Sequence, residues 1–208
     1  LDLVGQARNW LEYAAELLDV GRDADALAMR RDERAYRNLL LVEQPNGDFA
    51  VTMTKQFLYD AWHFAVLQEL VESSDSRIAG IAAKALKEVT YHLRRSSEWV
   101  QRLGGGTDAS RQRMLAAIPV LWRFTVELTA GSDNEVRLAE CGIGADPATV
   151  GATWLKQVTA TFASVELPLP KAASHFYLDG RKGLHTEHLG LLLAEMQFLP
   201  RAYPDATW

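Results

Sequence analysis

Apolar residues through the middle of the chain recur every three or four positions almost without interruption, and that period dictates helices. Met53, Phe57, Ala61, Phe64 and Val71 mark one stripe, with Gln56, Asp60, His63 and Leu67 beside it, which predicts a long helix over 52–72. Ser73-Ser-Asp-Ser76 supplies N-cap candidates for the next, which runs through Ile78, Ile81, Ala85, Val89, His92, Trp99 and Leu103 until Gly104-Gly-Gly106 stops it. An earlier stripe of Ala7, Trp10, Leu11, Ala14, Leu17 and Leu18 ends before Gly21, and a later one covers 110–130 with a kink expected at Pro119. Asp146-Pro147 is a capped start with proline in the first turn, and Pro168 and Pro170 are expected to end that helix; a last one is expected near 185–199. No stretch alternates with period two for long enough to make a strand. The expected class is all-α, an antiparallel helical bundle with extra C-terminal helices.

A chain of 208 residues and 23.2 kDa fits one core, so a single domain over 1–208 is expected. Its net charge of -5 arises from acids and bases that read as interspersed, with no basic stripe of the kind a phosphate backbone demands, so no nucleic-acid partner is expected. One cysteine, Cys141, excludes an internal disulfide and fits a reducing cytoplasm. No apolar run reaches the roughly 20 residues that cross a bilayer and no leader opens the chain, so the expectation is a soluble cytoplasmic protein with no membrane partner. Leu1 to Gln6 already run in helical register with no capping residue ahead, which suggests a preceding segment. The charged run Arg30-Arg-Asp-Glu-Arg34 reads as a solvated face or shallow helix before the turn at Gln44-Pro-Asn-Gly-Asp48.

Two carboxylate–histidine pairs carry the chemistry. Asp60 and His63 are three apart and Glu88 and His92 four apart, so each pair shares one side of its helix. Carboxylate-bridged di-iron bundles need a Glu-x-x-His step on each of two helices together with further carboxylates. Here Tyr91 stands where the second histidine is required and His92 falls one residue late. Asp60, His63, Glu88 and His92 could still converge on one metal ion, the basis of an alternative reading as a metal-dependent oxidoreductase. The favoured reading is a degenerate site with no metal and no catalytic residue, its members paired with each other and with Lys84, Tyr91 or Gln56.

His185-Thr-Glu-His188 places its histidines three apart, whereas zinc hydrolases separate theirs by four, so an N-terminal cap for the last helix is the better account. Gly180-Arg-Lys-Gly183 sets two cations on a loop before that helix, without the glycine spacing of a phosphate-binding loop.

Leu1-Asp-Leu-Val-Gly-Gln-Ala-Arg-Asn-Trp10, Asn38-Leu-Leu-Leu-Val-Glu-Gln-Pro-Asn-Gly47, Tyr59-Asp-Ala-Trp-His63, Leu121-Trp-Arg-Phe-Thr125 and Lys182-Gly-Leu-His-Thr-Glu-His-Leu-Gly190 make the chain resemble, end to end, the C-subunit family of bacterial ring 1,2-phenylacetyl-CoA epoxidases, multicomponent oxygenases of aerobic phenylacetate degradation. The resemblance implies a ferritin-like bundle that lacks its first helix here, with Gly5 where a ligand histidine would be required. It implies a structural subunit without cofactor, paired with the catalytic A-subunit of the epoxidase, which holds the di-iron centre and binds phenylacetyl-CoA. It further implies other epoxidase components, including a reductase. Arg181, Lys182, His185 and His188 then become candidate contacts for CoA or for the partner. A self-associating ferritin-like protein with no oxygenase partner is a further alternative.

Overall fold

The computed structural model describes residues 1–19, 21–171 and 179–206. Among them run α1 (Asp2–Leu18), α2 (Ala24–Met29), α3 (Leu40–Glu43), α4 (Phe49–Leu70), α5 (Ser76–Gly104), α6 (Asp108–Trp122), α7 (Val126–Ala130), α8 (Asp133–Glu140), α9 (Pro147–Ala163) and α10 (Glu187–Ala202). Single 3-10 turns lie at Glu33–Ala35 and Gly180–Lys182, and β pairing among the described residues is limited to one bridge between Asp179 and Leu184. The all-α class therefore holds. The chain gathers into two compact units: Gln44–Tyr177 is one, and the described parts of Leu1–Glu43 and Leu178–Trp208 are the other.

In the first of these units α4 is central and packs against α5, α6 and α9. Its apolar positions face all three: Met53, Phe57, Leu58, Ala61, Ala65 and Leu67 are buried with Val89 and Val100 of α5, Met114, Ile118 and Leu121 of α6, and Val158 and Phe162 of α9. Local chemistry fixes the helix starts. The Asp48 carboxylate accepts from the Val51 amide at 3.0 Å, Asp75 from Arg77 and Ile78 at 2.9 and 3.1 Å, and Asp146 from Ala148 and Thr149 at 3.2 and 3.1 Å with Pro147 in the first turn. At the far end of α5 the Arg111 guanidinium donates to the carbonyls of Gly104, Val165 and Glu166, fastening the tails of α5 and α9 together.

Two boundaries differ from the sequence expectation. The helix expected over 110–130 passes through Pro119 without ending and breaks instead at Arg123–Thr125, where the amides of Phe124 and Thr125 bond back three residues and the Thr125 hydroxyl donates to the Trp122 carbonyl at 2.8 Å. The helix expected to run to Pro168 stops at Ala163. There the Leu167 amide reaches back to the Phe162 carbonyl at 2.9 Å while Glu166 takes a left-handed φ of 55°, and the capping turn buries Leu167.

In the other unit α1 packs on α2, and α10 packs on α2 and on the turn at Glu33–Ala35. The charged run at 30–34 is more than a solvated face. Arg31 is half-buried and donates to the Leu27 carbonyl, and Arg201 of α10 reaches Asp32 and the Arg31 carbonyl at 3.0 and 2.9 Å. No single described helix is long and apolar enough to cross a membrane. The one bent pair among the described residues that approaches that composition is α6 with the α7–α8 segment, and α6 spends its apolar residues Met114, Ala117, Ile118 and Leu121 on the core.

Candidate functional site

Gln56, Asp60 and His63 succeed one another at four and three positions on α4, so one face of the central helix presents all three. Asp60 is 1 % exposed. Its Oδ1 accepts from the Gln56 amide at 2.6 Å, and its Oδ2 has no hydrogen-bond partner. Burial pushes the Asp60 carboxyl above the usual carboxylate range, opposed by Ser96, Gln56, His92 and Arg95. Burial pushes His63 the other way, down to about 4, helped by His92, so the ring is neutral at pH 7. His63 lies among aromatic neighbours, with ring centroids 5.3 Å from Tyr59 and 6.5 Å from Trp62, and its Nδ1 is buried without a partner. Tyr59 is itself raised to about 12 by burial and by the Asp60 charge. From α5, His92 acts electrostatically on both Asp60 and His63, so three of the four expected donors do share a region.

The remaining positions separate. Tyr91 is 54 % exposed and lies edge-on to His92 with centroids 6.3 Å apart, and Lys84 is exposed as well. Of the three hydrogen-bond partners expected for the cluster, Gln56 serves and Lys84 and Tyr91 do not, because both face away from the core. Glu88 is half-buried on the flank of α5. Among the described residues no group of three or more His, Cys, Asp or Glu is arranged to hold a metal ion. Position 5 of α1, Gly5, is exposed, and a Cβ built there meets nothing. A di-iron centre, which requires about six protein donors, does not fit these residues, and no chemistry is derived through one.

The His63 shift has a measurable consequence. Between its ordinary 6.5 and about 4, the unfolded chain takes up a proton that the folded chain refuses, so His63 makes stability fall as pH falls through that window. The effect reaches about 3 kcal/mol across the window at roughly 1.4 kcal/mol per pH unit. Asp60 works in the opposite sense, since its raised carboxyl protonates first in the folded state. The difference between wild type and His63→Phe isolates the histidine: urea unfolding of the two at about pH 7 and about pH 4 should show profiles diverging by about 3 kcal/mol, and parallel profiles would exclude the shift.

In the second polar cluster Glu43 and His185 find partners at every side-chain polar atom, and Asn38 Oδ1 is left buried without one. Glu43 and His185 side chains are each 1 % exposed, with His185 Nδ1 at 2.6 Å from Glu43 Oε1 and Nε2 at 3.2 Å from the Tyr36 carbonyl. The same carboxylate accepts from Asn38 at 2.8 Å and from the amide and hydroxyl of Thr186 at 2.8 and 2.7 Å. Thr186 therefore occupies the N-cap of α10, as the sequence suggested for this stretch, yet its hydroxyl serves Glu43 rather than its own helix. His185, expected as a contact for CoA or a partner, is walled inside this network and unavailable to either.

The other three expected contacts are placed differently. Lys182 is exposed and pairs with Asp179 at 3.1 Å, Arg181 is half-buried on the 3-10 turn, and His188 Nε2 lies 3.9 Å from Glu187. Gly183 turns at φ 78° against the Arg34 carbonyl and the Arg37 guanidinium, too close for any Cβ. Along α10 an open groove of about 510 Å³ is lined by residues that include Asp32, Glu33, Gln197, Phe198 and Arg201, with no nucleophile and base brought together in it.

The family model described as phenylacetic acid catabolic protein matches residues 1–208, the whole chain. The chain belongs to that family. This member is 52 % identical over 208 residues to the C-subunit of 1,2-phenylacetyl-CoA epoxidase from Escherichia coli K12, an alignment that covers 100 % of this chain and 83 % of that protein. The family's ferritin-like helical class agrees with the helical bundle around α4, which among the described residues contains no strand.

Proposed function

We propose that this family member is a non-catalytic structural subunit of a multicomponent phenylacetyl-CoA ring epoxidase in aerobic phenylacetate catabolism, pairing with and stabilising the di-iron catalytic A-subunit of that enzyme. The identity to an epoxidase C-subunit supports the place in the assembly. One observation carries the non-catalytic part: Tyr91 faces solvent, so the α4–α5 interior offers Asp60, His63 and His92 without the further carboxylates that a bridged metal pair needs. On this reading the protein has no cofactor of its own, works in the cytoplasm, and meets phenylacetyl-CoA and the reductase only through the assembled enzyme.

Purification alone and with the catalytic partner, followed by iron quantitation on each chain, tests it. The expected result is substoichiometric iron and no oxygenase activity in this chain alone, and a stable complex whose iron resides in the catalytic partner. Two irons per copy of this chain would restore the oxidoreductase reading on Asp60, His63, Glu88 and His92.

A further inference from the structure

The turn over 44–48 leads into α4 and carries Asn46-Gly47 in exposed backbone. Of the four asparagines, Asn9, Asn38, Asn46 and Asn134, only Asn46 is followed by glycine. A side-chain amide can react with the backbone nitrogen of the next residue, and a residue without Cβ obstructs that approach least. The turn itself demands the glycine. Gly47 has a φ of 57°, and an added Cβ would stand 3.2 Å from Val51 Cβ and Cγ1.

The two reacting groups are prepared differently. Among the described residues the Gly47 N–H makes no hydrogen bond, so no bond has to break before its nitrogen acts. The Asn46 side chain, by contrast, is held. Lys55 Nζ on α4 donates to Asn46 Oδ1 at 2.8 Å and to the Gln44 carbonyl at 2.5 Å, while the Thr52 hydroxyl donates to the Asn46 carbonyl at 2.8 Å. An ammonium on a carbonyl oxygen draws electrons from the carbon and stabilises the oxyanion that attack creates. Burial pushes Lys55 below its ordinary value, which makes the ammonium a readier proton donor.

We propose that Asn46 is a site of spontaneous deamidation in the folded chain, with Lys55 polarising its side-chain carbonyl. The Gly47 nitrogen forms a bond to Asn46 Cγ and gives its proton to solvent. The bond from Cγ to Nδ2 breaks, Nδ2 takes up one proton, and ammonia leaves a five-membered succinimide behind. Water opens that ring at either carbonyl, giving an aspartyl or an isoaspartyl residue, so one water is consumed for each ammonia released. The aspartyl product sets a carboxylate beside Lys55 and just ahead of α4, where the helix dipole favours an anion. The isoaspartyl product lengthens the backbone by one carbon before the Asp48 cap.

The test incubates the full chain in neutral buffer and, in parallel, unfolded in guanidinium chloride, as wild type, Lys55→Met and Asn46→Gln. Peptide mass spectrometry follows the conversion of amide to acid at each asparagine, and an isoaspartate methyltransferase assay counts the rearranged product. In folded wild type Asn46 is expected to convert roughly tenfold faster than Asn9, Asn38 and Asn134, and no more slowly than in the unfolded chain. Oxyanion donors in closed sites are worth about 100-fold or more, and water at this exposed turn weakens the effect, so Lys55→Met should slow the folded reaction roughly fivefold. Unfolded, the two chains should react alike. Asn46→Gln should give no isoaspartate in this turn.

Folded Lys55→Met that reacts as fast as wild type, or faster, overturns the inference. So does a folded wild type in which Asn46 reacts several-fold more slowly than in the unfolded chain. Circular dichroism and Tm show whether Lys55→Met is folded; if it is not, the comparison of folded with unfolded wild type decides alone.

Discussion

Glu43→Ala is expected to lower the unfolding free energy of the unit that contains it by about 3–5 kcal/mol, seen as a lower urea midpoint with an unchanged slope. The carboxylate is the hub of a buried network, accepting from Asn38, from His185 and twice from Thr186. Removing it leaves His185 Nδ1 and the Thr186 amide and hydroxyl without a partner in a buried site, and an orphaned buried donor forfeits its full solvation. Glu43→Gln keeps the volume but turns one oxygen into an amide that faces donors, so its midpoint should fall between wild type and alanine. An alanine variant as stable as wild type would mean that α3 and the start of α10 are held by their leucines alone.

Trp154→Ala should destabilise by a similar amount, about 3–5 kcal/mol, by a different route. The indole is 3 % exposed, donates from Nε1 to the Leu58 carbonyl at 3.0 Å, and lies 5.5 Å from the Trp122 ring centroid. Truncation opens a large hole between α4, α6 and α9, where close-packed neighbours relax only in part. Trp154→Phe fills most of that space and gives up the hydrogen bond, which costs about 1 kcal/mol. Thermal unfolding should therefore rank wild type, phenylalanine and alanine in that order, and near-ultraviolet circular dichroism should lose the signal of the coupled Trp122–Trp154 pair in both variants.

These two residues also mark what a sequence can and cannot disclose. Signals carried within a few positions were readable: the cap at Asp75, the Asp146-Pro147 start, the halt at Gly104, and the inward pairing of Gln56 with Asp60. The start of α8 was equally readable as a capping box of Ser132 and Glu135 but is easily passed over, because so short a helix has no apolar stripe to announce it. The short helices α2 and α3 escaped for the same reason. Glu43 and His185 are 142 positions apart, and no local pattern pairs them. His185 reads from the sequence as part of the cap of the last helix and as a candidate contact for CoA or a partner, and only tertiary packing reveals it as part of the interior. The cations of α5 look interspersed along the chain and gather on one side only when placed around the helix axis.

The outward aim of Tyr91 has a further consequence, for how reversible the present state of the α4–α5 interior is. An imidazole introduced at that position would hang in water beside Arg94, so no single exchange there supplies the missing donor. Bringing position 91 inward means turning the rest of α5 by about 100°, the phase shift of one inserted or deleted residue. The same turn would drag Leu93, Ser96 and Val100 out of the core and drive cations into it. For this stretch of backbone, an inward donor at position 91 and the present packing of Leu93, Ser96 and Val100 are thus mutually exclusive.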